Sequence, residues 1–152
     1  MQKQPDGSVL IKWSAKVQVN NCDFEGDGLL KVSCPDKIHQ VDQSIIAAAK
    51  ENCEEWFGKK LSDEFLENVY DSALLSDNVL QASLVKNSQG QILTRFYDSK
   101  KNVVDPSDIT GPYDVILEVY GISFIRRAYT PLWRILQVRE RVKTDQYLFE
   151  DD

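Results

Sequence analysis

Residues 113–143, YDVILEVYGISFIRRAYTPLWRILQVRERVK, decide how the chain is read. From 113 to 125 the residues are β-branched or aromatic with hardly a polar interruption, and the same texture resumes over 132–142 after a break at 128–131. Such side chains suit the pleated, half-buried surface of a sheet, so the stretch predicts a long β-hairpin. Its predicted connection carries Arg126, Arg127 and Tyr129, and the return strand adds Trp133, Arg134, Arg139 and Arg141. Cations and flat rings placed together suit a nucleic-acid strand, because guanidinium groups meet phosphates while rings stack on any base.

Upstream, 98–112 (DSKKNVVDPSDITGP) has the polar residues, prolines and glycine of a loop, the longest in the chain. Long loops in compact domains tend to be functional. Lys100 and Lys101, next to Arg95, Phe96 and Tyr97, make this segment a candidate part of the strand-binding path. Before it, strands are predicted over 79–85 and 92–97, joined as a hairpin by Asn87-Ser88-Gln89-Gly90.

The first half supplies the scaffold. Residues 9–19 read as a strand with Trp13 and Val17 on one face. A polar connection follows at Asn20-Asn21 and Glu25-Gly26-Asp27-Gly28, then a short strand at 29–34. From 41 to 57 the period changes: Val41, Ile45, Ala49, Cys53, Trp56 and Phe57 recur at helical spacing, and Gly58 is placed to end the helix. Trp56-Phe57 reads as core packing and not as a stacking site. Ser62 is the predicted N-cap of a second helix carrying Phe65, Leu66, Val69, Tyr70 and Ala73.

This order, strands then two helices then strands, predicts an α+β domain over 1–143. The expected form is an OB-like, mostly antiparallel twisted sheet or partial barrel of about five to six strands with a two-helix insertion, followed by an acidic tail over 144–152. At 152 residues one core suffices. No run approaches bilayer length and the start, MQKQPDGS, lacks a signal core, so the expectation is an intracellular protein without a membrane partner. Three widely spaced cysteines and one histidine support neither a disulfide framework nor a zinc site. Cys53 is expected as a buried structural thiol and His39 in a surface or capping role.

The formal charge of −6 argues against a nucleic-acid partner until its distribution is examined. Residues 1–90 carry −5, residues 91–143 carry +3 and residues 144–152 carry −4. The acidity is segregated from the hairpin. Neither a P-loop nor a G-x-G-x-x-G turn occurs, and Glu25-Gly26-Asp27-Gly28 lacks the spacing of a calcium loop. No cofactor, no metal and no catalytic set is expected, and a small hydrolase or nuclease with dispersed carboxylates is the least favoured reading.

The run GISF at 121–124, followed by PLWRILQV at 131–138, resembles the closing hairpin of OB-fold single-stranded DNA-binding proteins of large double-stranded DNA viruses and tailed phages. Upstream, RFYDSKKNVVDPSDITGPYDVILEV at 95–119 is similar to the strand, loop and glycine before that hairpin. The resemblance covers the last third to half of the chain. It implies sequence-tolerant binding of single-stranded DNA in viral replication, recombination or repair, in the host cytoplasm or nucleus. By residue type, Tyr129, Trp133, Arg126, Arg127 and Arg134 match its base and phosphate contacts. Tyr147, Phe149, Glu150, Asp151 and Asp152 match a tail that meets replication proteins or competes with DNA. Trp133 has a second reading, since a Trp on a central strand is more often buried. Stacking and phosphate contacts serve RNA as well as DNA. The alternative function is a viral protein-interaction or virion structural module without nucleic acid.

Overall fold

The computed structural model of the chain describes residues 2–3, 9–125 and 128–141. Among them nine strands form one sheet: β1 (Gln2–Lys3), β2 (Val9–Ile11), β3 (Ala15–Gly26), β4 (Leu29–Val32), β5 (Val79–Leu84), β6 (Arg95–Tyr97), β7 (Val103–Val104), β8 (Tyr113–Ile125) and β9 (Ala128–Glu140). Three helices, α1 (Asp36–Glu51), α2 (Cys53–Phe57) and α3 (Asp63–Asn68), are inserted between β4 and β5. None is long and apolar enough to cross a membrane.

β8 pairs with both β3 and β9, which closes a ring in the order β3, β4, β5, β9, β8. All contacts in the ring are antiparallel except β5 with β9, which run parallel. This is an α+β fold built on a closed, five-stranded, OB-like barrel. The remaining strands extend the ring: β2 continues the edge of β8 beyond β3, and β6 continues the edge of β9 beyond β5.

Alternation fills the interior. Val115, Leu117 and Val119 of β8 and Trp133, Ile135 and Val138 of β9 are buried, with Leu30, Val32, Leu80 and Ala82 from β4 and β5. The phase slips between Ile135 and Val138, where the register is shifted opposite Ile116 and Leu117, so Gln137 and Arg139 face outward. α1 buries Ile38, Val41, Ile45 and Ala49, and Asn52 interrupts the helix because its amide bonds back to the Ala48 carbonyl at 2.9 Å. Trp56 meets Trp13 edge-on and Phe57 meets Phe124, as core packing requires. Gly58 ends α2 in the left-handed conformation, and the Ser62 hydroxyl accepts from Phe65 N to cap α3. Cys53 is buried, with its sulfur accepting from Leu61 N at 3.1 Å.

The structure departs from the sequence reading in the helical insertion, where the first expected helix starts at Asp36 and divides into α1 and α2 and the second ends at Asn68, short of Val69, Tyr70 and Ala73, and in four further places. Residues 9–19 form two strands separated at Lys12–Ser14, and β3 continues through Asn21, which takes a positive φ at a bulge, to the turn at Asp27-Gly28. The predicted loop at 98–112 contains β7, which pairs with β6. Tyr129 belongs to β9, not to the connection. Finally, the turn at 87–90 does join an antiparallel bridge, Lys86 with Ile92, and Leu93 N donates to Val85 O, but beyond it β5 and β6 are not partners and each pairs in parallel with β9.

Between those two parallel segments Thr94 bridges the ladder. Its buried hydroxyl accepts from Val85 N at 2.8 Å and donates to Ile135 O at 2.6 Å. Thr94→Val should therefore cost about 2 kcal/mol, since it orphans a half-buried N–H and a buried carbonyl. Chemical denaturation checks this. Thr94→Ser should recover most of the loss.

Candidate nucleic-acid interface

Cross-strand register puts the outward side chains of β3, β8, β9 and β6 in rows. Lys16 lies opposite Glu118, which lies opposite Arg134. Gln18, Ile116, Gln137 and Arg95 form the next row, and Asp114, Arg139 and Tyr97 the third. The last two rows enclose a groove of about 360 Å³, lined by Gln18, Tyr97, Lys101, Asp114, Gln137 and Arg139, with Ile116 beneath.

Lys101 reaches the groove from the β6–β7 turn. Asp98 organises that turn by accepting from Asn102 N and Lys100 N, each at 2.9 Å, and these bonds hold its carboxyl below the usual carboxylate range. Lys101 itself takes φ 71°, a left-handed conformation uncommon outside glycine.

The arginines of β9 are not free charges. Arg134 bonds Glu118 through Nε at 2.7 Å, with Lys16 Nζ 3.9 Å from the same carboxylate, and its guanidinium lies 5.1 Å from the Tyr120 ring centre. Arg139 and Arg141, which lies just past the end of β9, share Asp114, at 2.5 Å and 3.0 Å. Burial works against the Asp114 charge. Bonds from Arg139 and from Asn21 N, with the attraction of Arg141, nevertheless hold its carboxyl below the ordinary range. Arg95 makes no ion pair among the described residues.

The predicted site residues separate accordingly. Tyr97, Lys101 and Arg95 stand on or beside the groove, Lys100 is exposed on the same turn, and Arg134 lies on the same face one row away. Phe96, Tyr129 and Trp133 are corrections, because each points into the core and is buried, so none can offer a ring face to a base. Alternation along β6 and along β9 as far as Ile135 turns them inward. Arg126, Arg127, Tyr147, Phe149, Glu150, Asp151 and Asp152 lie outside the described residues. Gln18, Asp114 and Gln137 join the site only in the structure, where they line the groove together with Arg139, already singled out among the cations of the return strand. Alternation along β3 and β8 points to Gln18 and Asp114, whereas Gln137 and Arg139 face outward through the slip of phase after Ile135.

A family model matches residues 15–151 and is described as a family of unknown function, DUF5871. The chain belongs to DUF5871. No curated protein and no solved structure matches it. The DUF5871 match opens at Ala15, the first residue of β3, so it takes in the whole ring and the groove but not β1 and β2.

The groove of this DUF5871 chain is not where OB-folds commonly take oligonucleotides, which is the face of the second and third barrel strands and the loops after the first and fourth. Here the first of those loops is the tight acidic turn after Glu25, which offers no cation to a phosphate. The other carries Arg126 and Arg127. The groove instead spans the first, fourth and fifth strands of the ring and the added strand β6.

Proposed function

We propose that this DUF5871 protein binds single-stranded nucleic acid, DNA in the first instance, without sequence preference. One observation carries the reading: a ring (Tyr97), two cations (Lys101 and Arg139) and two amides (Gln18 and Gln137), from three separate strands and a turn, line one groove of an OB-like barrel. A ring stacks on any base, cations meet phosphates, and amides donate and accept, so the set tolerates every sequence. The setting implied by the resemblance, viral DNA replication, recombination or repair, belongs to the same proposal, as does the engagement of replication proteins by the segment with Tyr147, Phe149, Glu150, Asp151 and Asp152.

The net charge and the ion-paired arginines make the expected affinity modest, with Kd on the order of 10 µM at physiological salt and tightening steeply as salt is lowered. Fluorescence anisotropy of a labelled oligo-dT titrated with the protein tests this, and Tyr97→Ala should weaken binding roughly tenfold through lost stacking. Absence of any anisotropy change at low salt would remove the proposal.

The alternative of a protein-interaction module draws on a different surface. Ile92, Leu93 and Val103 are exposed around a cleft floored by Phe96 at the β7 edge of the sheet. Under that reading, removing the groove's cations leaves partner binding unchanged, and the oligonucleotide titration stays flat.

A further inference from the structure

We infer that the Arg139–Asp114–Arg141 cluster at the end of the groove is a built phosphodiester site, with Asp114 as the positioning residue that sets the two guanidinium groups side by side. The inference rests on the single-strand reading and names the element of that site that grips the backbone.

Four observations support it. The Asp114 side chain is only 10% exposed, whereas those of Arg139 and Arg141 are 46% and 35% exposed, so the carboxylate lies beneath and the cations above it. Each arginine spends one terminal nitrogen on Asp114, one on each oxygen, and keeps the rest of its N–H fork. Two cations share one anion, which leaves a positive charge uncompensated within the cluster. Asn21 N, at the bulge of β3, donates to the same carboxylate at 3.2 Å and ties the cluster to the ring.

Phosphate is the complementary ligand. Its paired oxygens match a guanidinium fork, and its charge matches the surplus. Arg139 and Arg141 stand two residues apart along one extended segment, a spacing of about 7 Å that neighbouring phosphates of one strand can bridge. Arg139 also lies directly opposite Tyr97, so a phosphate held there leaves its base beside the ring.

The test compares the salt dependence of oligo-dT binding in the wild type and in the triple variant Asp114→Asn, Arg139→Gln, Arg141→Gln. Asparagine keeps an acceptor for Asn21 N and leaves no buried charge unpaired. Loss of two phosphate contacts should lower the slope of log K against log salt by about 1.4, with affinity at low salt falling about tenfold or more. As a control, Lys59→Gln with Lys60→Gln removes two cations between α2 and α3 and should leave the slope within about 0.5 of wild type. A folded triple variant with the wild-type slope overturns the inference while the single-strand reading survives. Wild-type protein that fails to bind at any salt overturns both. Should the triple variant not fold, Arg139→Lys with Arg141→Lys decides the matter: both charges stay, so the slope should hold while affinity drops several-fold with the lost forks, and unchanged affinity overturns the inference.

Discussion

Tyr129→Ala is expected to destabilise the fold by about 4 kcal/mol, the range for emptying a large aromatic site in a core. For a domain of this size that lowers the melting temperature by about 12 °C. Tyr129 is fully buried, and its ring packs against Phe57, Tyr70 and Phe124 at centroid distances of 5.6, 5.1 and 5.7 Å. Its hydroxyl donates to Leu66 O at 2.8 Å, and its backbone bonds Val69 and Asp71. The residue therefore fastens the long hairpin to the helical insertion. Tyr129→Phe should cost only about 1 kcal/mol, the worth of one hydrogen bond, and should leave oligonucleotide affinity unchanged. Thermal melts of the two variants check both figures. Burial pushes the Tyr129 hydroxyl up to about 12. The unfolded chain ionises near pH ~10, so the stability this group contributes is complete below that value and is lost as pH rises from about 10 to 12.

Asp42→Ala should cost about 3 kcal/mol, read from the midpoint of urea unfolding. Asp42 is buried on α1 and accepts from two hydroxyls on the segment after α3: Tyr70, in a short bond, and Ser72, at 2.7 Å. The Ser72 hydroxyl in turn accepts from Leu74 N at 3.1 Å. Alanine would leave both half-buried hydroxyls without their acceptor. Asp42→Asn keeps one oxygen to accept and should recover part of the loss.

The hairpin and the presence of a helical insertion are legible in the sequence because each rests on local periodicity, and their order points to the α+β, OB-like class, although the insertion holds three helices and not two. Tyr129 is not, because Pro131 interrupts the strand pattern and makes its surroundings read as a connection. In the fold Pro131 lies before β5 joins β9 at Trp133, and there an absent N–H is tolerated. The partner of β5 and β6 is equally hidden: Asn87–Gly90 looks like a hairpin turn, while the strand that both of them join, β9, lies some forty residues or more further along the chain. At the site, Tyr97 and Lys101 stand out by residue type. Arg139 stands out too as a cation of the return strand, but its outward direction and that of Gln137 are not legible, because the slip of phase after Ile135, which no local signal dictates, is what turns them outward. The role of Asp114 as counter-ion depends on register across two strands and cannot be read along one.

The ring is completed by a small seam. β5 meets β9 at only three residue pairs, Ala82 with Trp133, Ser83 with Arg134 and Leu84 with Ile135, about fifty positions apart in the chain. Pairings that distant, and those of β3 with β8 about a hundred positions apart, are expected to form after the local hairpin. Until then the newly made protein presents the bare flanks of two apolar strands, and its risk of sticking to other copies is concentrated in that interval.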